Sequence, residues 1–167
     1  MKIATLVTLV VAAVLFATMA QVQCELELKE FRFGFKWTSD QGKLEQNARQ
    51  EPQKAQLVVV PLLFPLDFLF LMFLGLFLAL CSLTYADGLS VPSGWTWALL
   101  VLPIAYMVAD FSENTLYSGM LLWPHSFDKL IHAAHWATRV KLVAGGLAIL
   151  QAVTVFVRSH SRRRHVR

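Results

Sequence analysis

Five charged side chains stand inside long apolar stretches of the chain, where such residues are rare. In chain order they are Asp67, Asp110, Glu113, Arg139 and Lys141. If these stretches cross a bilayer, each charge near its centre costs on the order of 3 kcal/mol unless it faces a helix interface or water and finds a partner. We therefore expect all five to point into the protein, where carboxyl groups can bind protons or act as general acids and bases.

The middle apolar stretch arranges its polar residues on one face of a helix. The spacing i, i+4, i+7, i+8 and i+11 forms a single helical stripe. This stripe contains Tyr106, Asp110, Glu113, Asn114 and Tyr117. The polar groups of this helix are therefore predicted to meet in a shared interior.

The other two stretches offer faces that complement this stripe. One face of the last stretch carries Thr138, Lys141 and Gly145. In the apolar stretch that contains Asp67, Gly75 and Ala79 give a small face for close helix contact. We therefore predict a helix bundle with a polar centre. The candidate site consists of Asp67, Asp110, Glu113, Asn114 and Lys141.

A second group of polar residues lies between the last two apolar stretches. At steps of three, four and three residues stand His125, Asp128, His132 and His135. One continuous helix beginning near Pro124 would align these four residues, and their ligand types suit zinc or iron. They are an alternative metal site. Because they fall at the membrane surface, where histidine is ordinary, and form no His-Glu-x-x-His box, we assign the protein no metal and no cofactor.

The composition indicates a lipid environment. Of the 167 residues 56% are hydrophobic, and the mean hydropathy of +0.53 is too apolar for a soluble domain of this size. The predicted fold class is an all-α integral membrane bundle of three to four transmembrane helices, with the lipid bilayer as a partner. The basic residues behind the net charge of +4 are concentrated at one end after an apolar run, which predicts membrane topology and no nucleic-acid partner.

The first two regions of the chain precede the core. Residues 1–20 have the charged, apolar and small-residue parts of a signal peptide, but they also come close to the length of a first transmembrane helix. Residues 21–56 are predicted to be a polar, non-cytosolic segment. Within it, the aromatic strip Phe31 to Trp37 alternates with polar residues and indicates contact with lipid headgroups. The part from Ser39 to Lys54 is predicted to be a linker or a frayed helix.

The last two regions are the core and the tail. Residues 57–157 are predicted to contain three spans, at about 57–85, 95–123 and 133–157. The tail, residues 158–167, carries five arginines. The positive-inside rule places it in the cytosol, whether the first region is cleaved or retained. We therefore expect a multi-pass protein of the secretory pathway or the plasma membrane.

Three motifs of the core occur together, in a fixed order. They are an Asp followed by a Gly, Asp-x-x-Glu-Asn, and Thr-x-x-Lys, carried here by Asp67 and Gly75, by Asp110, Glu113 and Asn114, and by Thr138 and Lys141. Over about residues 57–157 the chain resembles a family of small, uncharacterised multi-span membrane proteins with an Asp-x-x-Glu-Asn motif in a transmembrane helix. The resemblance implies a shared polar core at the candidate site and names no reaction.

Three function classes remain open. We prefer a small-molecule or proton-coupled transport component or an accessory subunit of a membrane complex, which in so short a chain also predicts a homo-oligomer or a membrane-protein partner. The second class is a membrane-embedded enzyme acting on a lipid-soluble substrate, with Asp110 or Glu113 as general acid or base. The third is a structural or scaffolding protein whose buried charges hold its helices in register.

The charge balance of the interior gives a first prediction. Three acids, including Asp67, oppose at most two bases, and an acid without a cationic partner avoids burying charge by keeping its proton. Because Asp110 and Glu113 lie on adjacent turns and would repel each other, we predict that one of them is protonated at neutral pH. Infrared spectra should show a protonated carboxyl band that disappears in Asp110→Asn or in Glu113→Gln. A wild-type spectrum without this band contradicts the prediction.

Overall fold

The computed structural model describes residues 2–26, 41–84, 86 and 93–165. Within these residues all regular structure is helical, and four helical stretches are long and apolar enough to cross a membrane. The stretches are Ile3–Glu25, Pro52–Thr84, Thr96–Leu122 and Pro124–Ser159. The chain is a multi-pass membrane protein with an all-α bundle, which confirms the predicted fold class.

Six α-helices make up these stretches and the segment between the first two. In chain order they are α1 (Lys2–Glu25), α2 (Gln41–Gln50), α3 (Pro52–Leu57), α4 (Phe68–Thr84), α5 (Val101–Leu122) and α6 (Phe127–His165). An irregular helical segment, Val58–Asp67, joins α3 to α4. The short 3-10 helices Ser93–Leu100 and Pro124–Ser126 precede α5 and α6.

Two prolines interrupt the helical stretch Pro52–Thr84. The residues before Pro61 and Pro65, Val60 and Phe64, have extended backbones, with φ/ψ of −132°/116° and −126°/115°. A proline disfavours helical geometry in the residue before it and donates no backbone hydrogen bond. Helical geometry therefore resumes at Pro65, and Asp67 lies in the first turn of the helix that continues as α4. Sequence analysis predicted one span over about residues 57–85 and no break within it.

The irregular segment is packed against protein. The side chains of this segment that are buried are Val58, Val59, Leu62 and Leu63. Irregular backbone at membrane depth is tolerated where the protein itself surrounds it. The break is therefore compatible with a membrane-spanning path for residues 52–84.

Two apolar clusters fill the bundle, one toward each end of the spans. The first apolar cluster joins α2, α3, the irregular segment, the end of α5 and the start of α6, and includes Leu62, Leu63, Tyr117, Met120 and Ala134. The second apolar cluster joins α4, α5 and α6 and consists of Leu71, Leu78, Tyr106, Ala144, Ala148 and Ala152. Along each of these three spans, the predicted polar residues lie between the two clusters.

The polar region before the core contains a folded helix. Helix α2 buries Leu44 and Ala48 in the first apolar cluster. Of the two predictions for this part of the chain, linker or frayed helix, the structure shows a helix docked on the bundle. The aromatic strip Phe31 to Trp37 lies outside the described residues.

Helix α1 packs along α4. The rings of Phe16 and Phe70 lie 5.9 Å apart between centroids, and Thr5, Thr8 and Ala12 are buried. This helix is long and apolar enough to cross a membrane, which adds one candidate span before the three of the core.

Close packing at Gly145 gives a second prediction. A Cβ atom on Gly145 would lie 3.0 Å from Cδ2 of Tyr106, whereas one on Gly146 would meet nothing within 4 Å. Gly145→Val should lower the free energy of unfolding in detergent by about 1–3 kcal/mol, because the Tyr106 ring must shift. Gly146→Val is the matched control and should melt close to the wild type. Equal melting temperatures for the two variants would refute this packing.

Candidate functional site

The predicted polar residues lie at one level of the bundle. Asp67, Asp110 and Lys141 each fall near the midpoint of a candidate membrane span. This level is the most expensive place in a bilayer for a charge, so the side chains need partners within the protein. The structure supplies such partners from all three spans.

Lys141 of α6 connects two carboxyl groups of α5. Its Nζ lies 2.6 Å from Glu113 Oε2 and 2.7 Å from Asp110 Oδ1. The exposed fractions of the two acids are 2% for Asp110 and 5% for Glu113. The contact to Asp110 has the distance of an ion pair but lacks the angles of a hydrogen bond. We treat it as an ion pair, because charge attraction depends on separation more than on direction.

Thr138 completes the surroundings of Glu113. Its hydroxyl lies 2.7 Å from Glu113 Oε1 and 2.9 Å from the backbone oxygen of Ala134. A hydroxyl has one proton, so it donates to one of these oxygens at a time. Glu113 therefore has the Lys141 ammonium group at one oxygen and the Thr138 hydroxyl at the other.

Asp67 has a different partner. Asn114 of α5 donates a short hydrogen bond from Nδ2 to Asp67 Oδ2. Asp67 lies close enough to Asp110, Glu113 and Lys141 to feel their charges, but its hydrogen-bond donor is a neutral amide. The structure thus brings together all five predicted site residues, in two linked parts: the lysine pair and the amide pair.

Arg139 lies outside this site, contrary to the prediction that it points inward. Its side chain is exposed, and its guanidinium lies 5.2 Å from the centre of the Trp136 ring, a cation–π distance. Arg139 and Lys141 are two residues apart on α6, so at 100° per residue they project from nearly opposite faces of the helix. The interior charge balance is therefore three acids against one base.

The tyrosines of the α5 stripe line the two ends of the site. Tyr106 belongs to the second apolar cluster and faces Asp110, and Tyr117 belongs to the first cluster. Both side chains are buried, as are Asp110, Glu113 and Asn114. The predicted stripe is therefore the buried face of α5.

A second polar bridge was missed by the sequence analysis. Gln151 of α6 donates from Nε2 to Ser82 Oγ of α4 at 2.9 Å and to the backbone oxygen of Leu99 at 2.7 Å. The signal available in the sequence was a lone glutamine in the last apolar stretch. This bridge lies beyond the second apolar cluster and ties together the ends of the three spans.

The four residues of the alternative metal site lie on one helical stretch. His125 lies in the 3-10 turn Pro124–Ser126, which runs directly into α6, and the other three lie on α6 itself. In the described part of the chain, however, no three His, Cys, Asp or Glu side chains are placed to hold a metal ion.

Comparisons with protein-family models, with curated proteins and with solved structures gave no match to this chain.

The lysine pair gives a third prediction. Removing one partner of a buried ion pair leaves an uncompensated charge, so Lys141→Met should lower the free energy of unfolding by about 3–5 kcal/mol. Adding Glu113→Gln to this variant should recover part of the loss, because one of the two stranded charges disappears. Unfolding in detergent would measure both effects.

Lys129→Met is the control for this substitution, since Lys129 is an exposed lysine of the same helix. Its effect should stay within about 0.5 kcal/mol, as for ordinary surface changes. Equal stability of Lys141→Met and Lys129→Met would show that the ion pair contributes nothing to folding.

Proposed function

We propose that this membrane protein binds and releases protons at a site in the middle of the bilayer, as a proton-coupled transport component or as the proton-binding subunit of a membrane complex. The observation that carries the proposal is the clustering of three carboxyl groups around one lysine at mid-span: Lys141 contacts Asp110 and Glu113, and Asp67 is bound by Asn114 beside them. The site consists of Asp67, Asp110, Glu113, Asn114 and Lys141.

The charge balance is the main argument. If the three carboxyl groups and the lysine were all ionised, three negative charges and one positive charge would leave the site at −2. An uncompensated charge at this depth costs several kcal/mol, and a bound proton removes one negative charge without needing space. Proton binding is therefore the simplest way for this cluster to exist in a membrane.

The apolar clusters on either side limit how a proton or substrate reaches the site. Leu62 and Leu63 lie on one side of Asp67, and Leu71 lies on the other. Passage across the protein therefore requires a rearrangement of the spans, or a second copy or a partner subunit that completes the path. This argument favours an oligomer or an accessory subunit over a monomeric transporter.

A structural role is the second candidate. Lys141 joins α6 to α5, and the hydrogen bond from Asn114 joins α5 to the irregular segment. Such contacts can hold helices in register with no further function. The membrane-embedded enzyme remains a hypothesis from the sequence, with Asp110 or Glu113 as its acid or base.

The orientation belongs to the same proposal. Helix α6 continues past the candidate span to His165, so the basic residues of the tail extend the helix beyond the bilayer. Placing this end in the cytosol follows the positive-inside rule. The resemblance to small multi-span membrane proteins with an Asp-x-x-Glu-Asn motif supports the polar core and leaves the reaction open.

Proton movement in reconstituted vesicles tests the function and gives a fourth prediction. Vesicles that contain the protein and an internal pH indicator should equilibrate an imposed pH gradient faster than empty vesicles, with the membrane potential clamped. Asp110→Asn and Glu113→Gln should reduce the rate to that of empty vesicles, because each removes a protonatable group from the site. Asp128→Asn, which changes an exposed carboxyl group at the start of α6, should leave the rate unchanged.

Stability measurements on the same samples separate the two candidate functions. Loss of proton movement in variants that melt like the wild type supports proton binding. Variants that unfold or dissociate support the structural role. If the folded wild type moves no protons beyond the empty-vesicle rate, the transport proposal is contradicted.

A further inference from the structure

The three carboxyl groups of the site have unequal partners. Asp110 and Glu113 both contact the ammonium group of Lys141, and Glu113 also receives the Thr138 hydroxyl. Asp67 receives a hydrogen bond from the neutral amide of Asn114. A cation stabilises the ionised form of a carboxyl group far more than a neutral donor does. Of the three acids, Asp67 therefore has the least compensation for a negative charge.

Asp67 is also more exposed than the other two acids of the site. Asp67 is partly exposed at the outside of the bundle, whereas the exposed fractions of Asp110 and Glu113 are 2% and 5%. A lipid-soluble reagent or a partner subunit docked on the bundle therefore reaches Asp67 before the other two carboxyl groups, which are buried.

Three phenylalanines lie close in the chain to Asp67 or to its partner Asn114, and their rings contact one another. The ring of Phe111 on α5 lies 5.9 Å from the ring of Phe68 and 6.4 Å from that of Phe64. Both rings stand edge-on to Phe111, at 67° and 84°. Phe64 and Phe68 flank Asp67 in the chain, and Phe111 lies one turn from Asn114 on α5. We call Phe64, Phe68 and Phe111 the aromatic lid. Its rings join the stretch Pro52–Thr84 to α5, as does the hydrogen bond from Asn114 to Asp67.

The backbone on one side of the lid is irregular. Phe64 is one of the two residues with extended backbone, immediately before Pro65. Discontinuous helices place proton and ion sites at membrane depth in other membrane proteins, because helix ends and unwound backbone offer polar groups there. The lid is therefore formed by an irregular segment on one side and by the regular helix α5 on the other.

We propose that Asp67 is the proton-exchange residue of the site, that it carries the surplus proton, and that the aromatic lid controls its access to the exterior of the bundle. The inference rests on the proposed proton-binding function, assigns a residue to it, and replaces the sequence-based prediction that Asp110 or Glu113 holds the proton. The hydrogen bond from Asn114 occupies Oδ2, so the proton binds at Oδ1. On release, the O–H bond of Asp67 breaks, its electron pair stays on the carboxylate, the proton passes to a water molecule that reaches Oδ1 when the lid opens, and Asn114 continues to donate to Oδ2.

The groups that face Asp67 set the pH dependence of this exchange. They are Tyr106, Asp110 and Glu113 on α5 and Lys141 on α6. Negative charge on either α5 acid repels a carboxylate at Asp67, whereas the ammonium group of Lys141 attracts it. The lysine is already shared by Asp110 and Glu113, so its effect on Asp67 is reduced.

Chemical labelling with a hydrophobic carbodiimide tests the assignment and gives a fifth prediction. This reagent partitions into the bilayer and reacts with protonated, accessible carboxyl groups. In wild-type protein in liposomes, mass spectrometry of proteolytic fragments should find the adduct on Asp67 and none on Asp110 or Glu113. Labelling should fall as the pH is raised, because the reactive protonated form is lost.

Two variants test the lid. Phe111→Ala should label faster than the wild type, because it removes the ring that contacts both other members of the lid. Phe70→Ala is the matched control, since Phe70 is an α4 phenylalanine that packs on Phe16 of α1, and it should label at the wild-type rate. Equal rates for the two variants would show that the rings do not control access.

The result that overturns the assignment is an adduct on Asp110 or Glu113 in place of Asp67, or no adduct on any of the three. Either result leaves the proposed function standing if proton movement persists in vesicles. In that case the infrared band separates the acids: it disappears in Asp67→Asn if the assignment holds, and in Asp110→Asn or Glu113→Gln if it fails. If the folded wild type shows neither labelling of Asp67 nor proton movement above the empty-vesicle rate, both proposals are contradicted.

Discussion

The structure depends on one ammonium group placed between two carboxyl groups at the centre of the membrane. Asp110 and Glu113 are three residues apart on α5, one above the other on the same face, and Lys141 contacts both. A one-residue shift of α6 rotates it by 100°, which would turn Lys141 away from both carboxyl groups. The ion pair therefore favours the observed register and rotation of the two helices, in which Arg139 lies outward and Gly145 lies against Tyr106.

Much of this arrangement could be predicted from the sequence, for a simple physical reason. Charged residues are costly in a membrane, so each one inside an apolar stretch indicates an interior position, and helical periodicity groups those on one helix. This reasoning identified the five site residues and the stripe on α5. It failed for Arg139, which lies two residues before Lys141 and therefore points to nearly the opposite face of α6. Counting charges in an apolar stretch does not show which helix face each charge occupies.

The pairing within the site and the break beside it could not be predicted. Which carboxyl group receives the lysine depends on how α5 and α6 rotate against each other, and a single sequence does not specify that rotation. The two prolines that interrupt the second stretch were visible, but apolar residues on both sides concealed the break. The bridge from Gln151 was also missed, because one polar residue in an apolar stretch indicates no particular partner. Helix packing determines all three features.

The position of Asp67 in the first turn after the break affects how easily its charge can change. The hydrogen bond from Asn114 favours a carboxylate there, while negative charge on α5 repels it. Asp110 and Glu113 instead contact the ammonium group of Lys141. A site that must bind and release a proton needs one group whose two forms are close in free energy, beside others that keep the helices in place. The ion pair can therefore hold the bundle together while Asp67 changes its charge, so a structural role for Lys141 and a proton-binding role for the site are compatible.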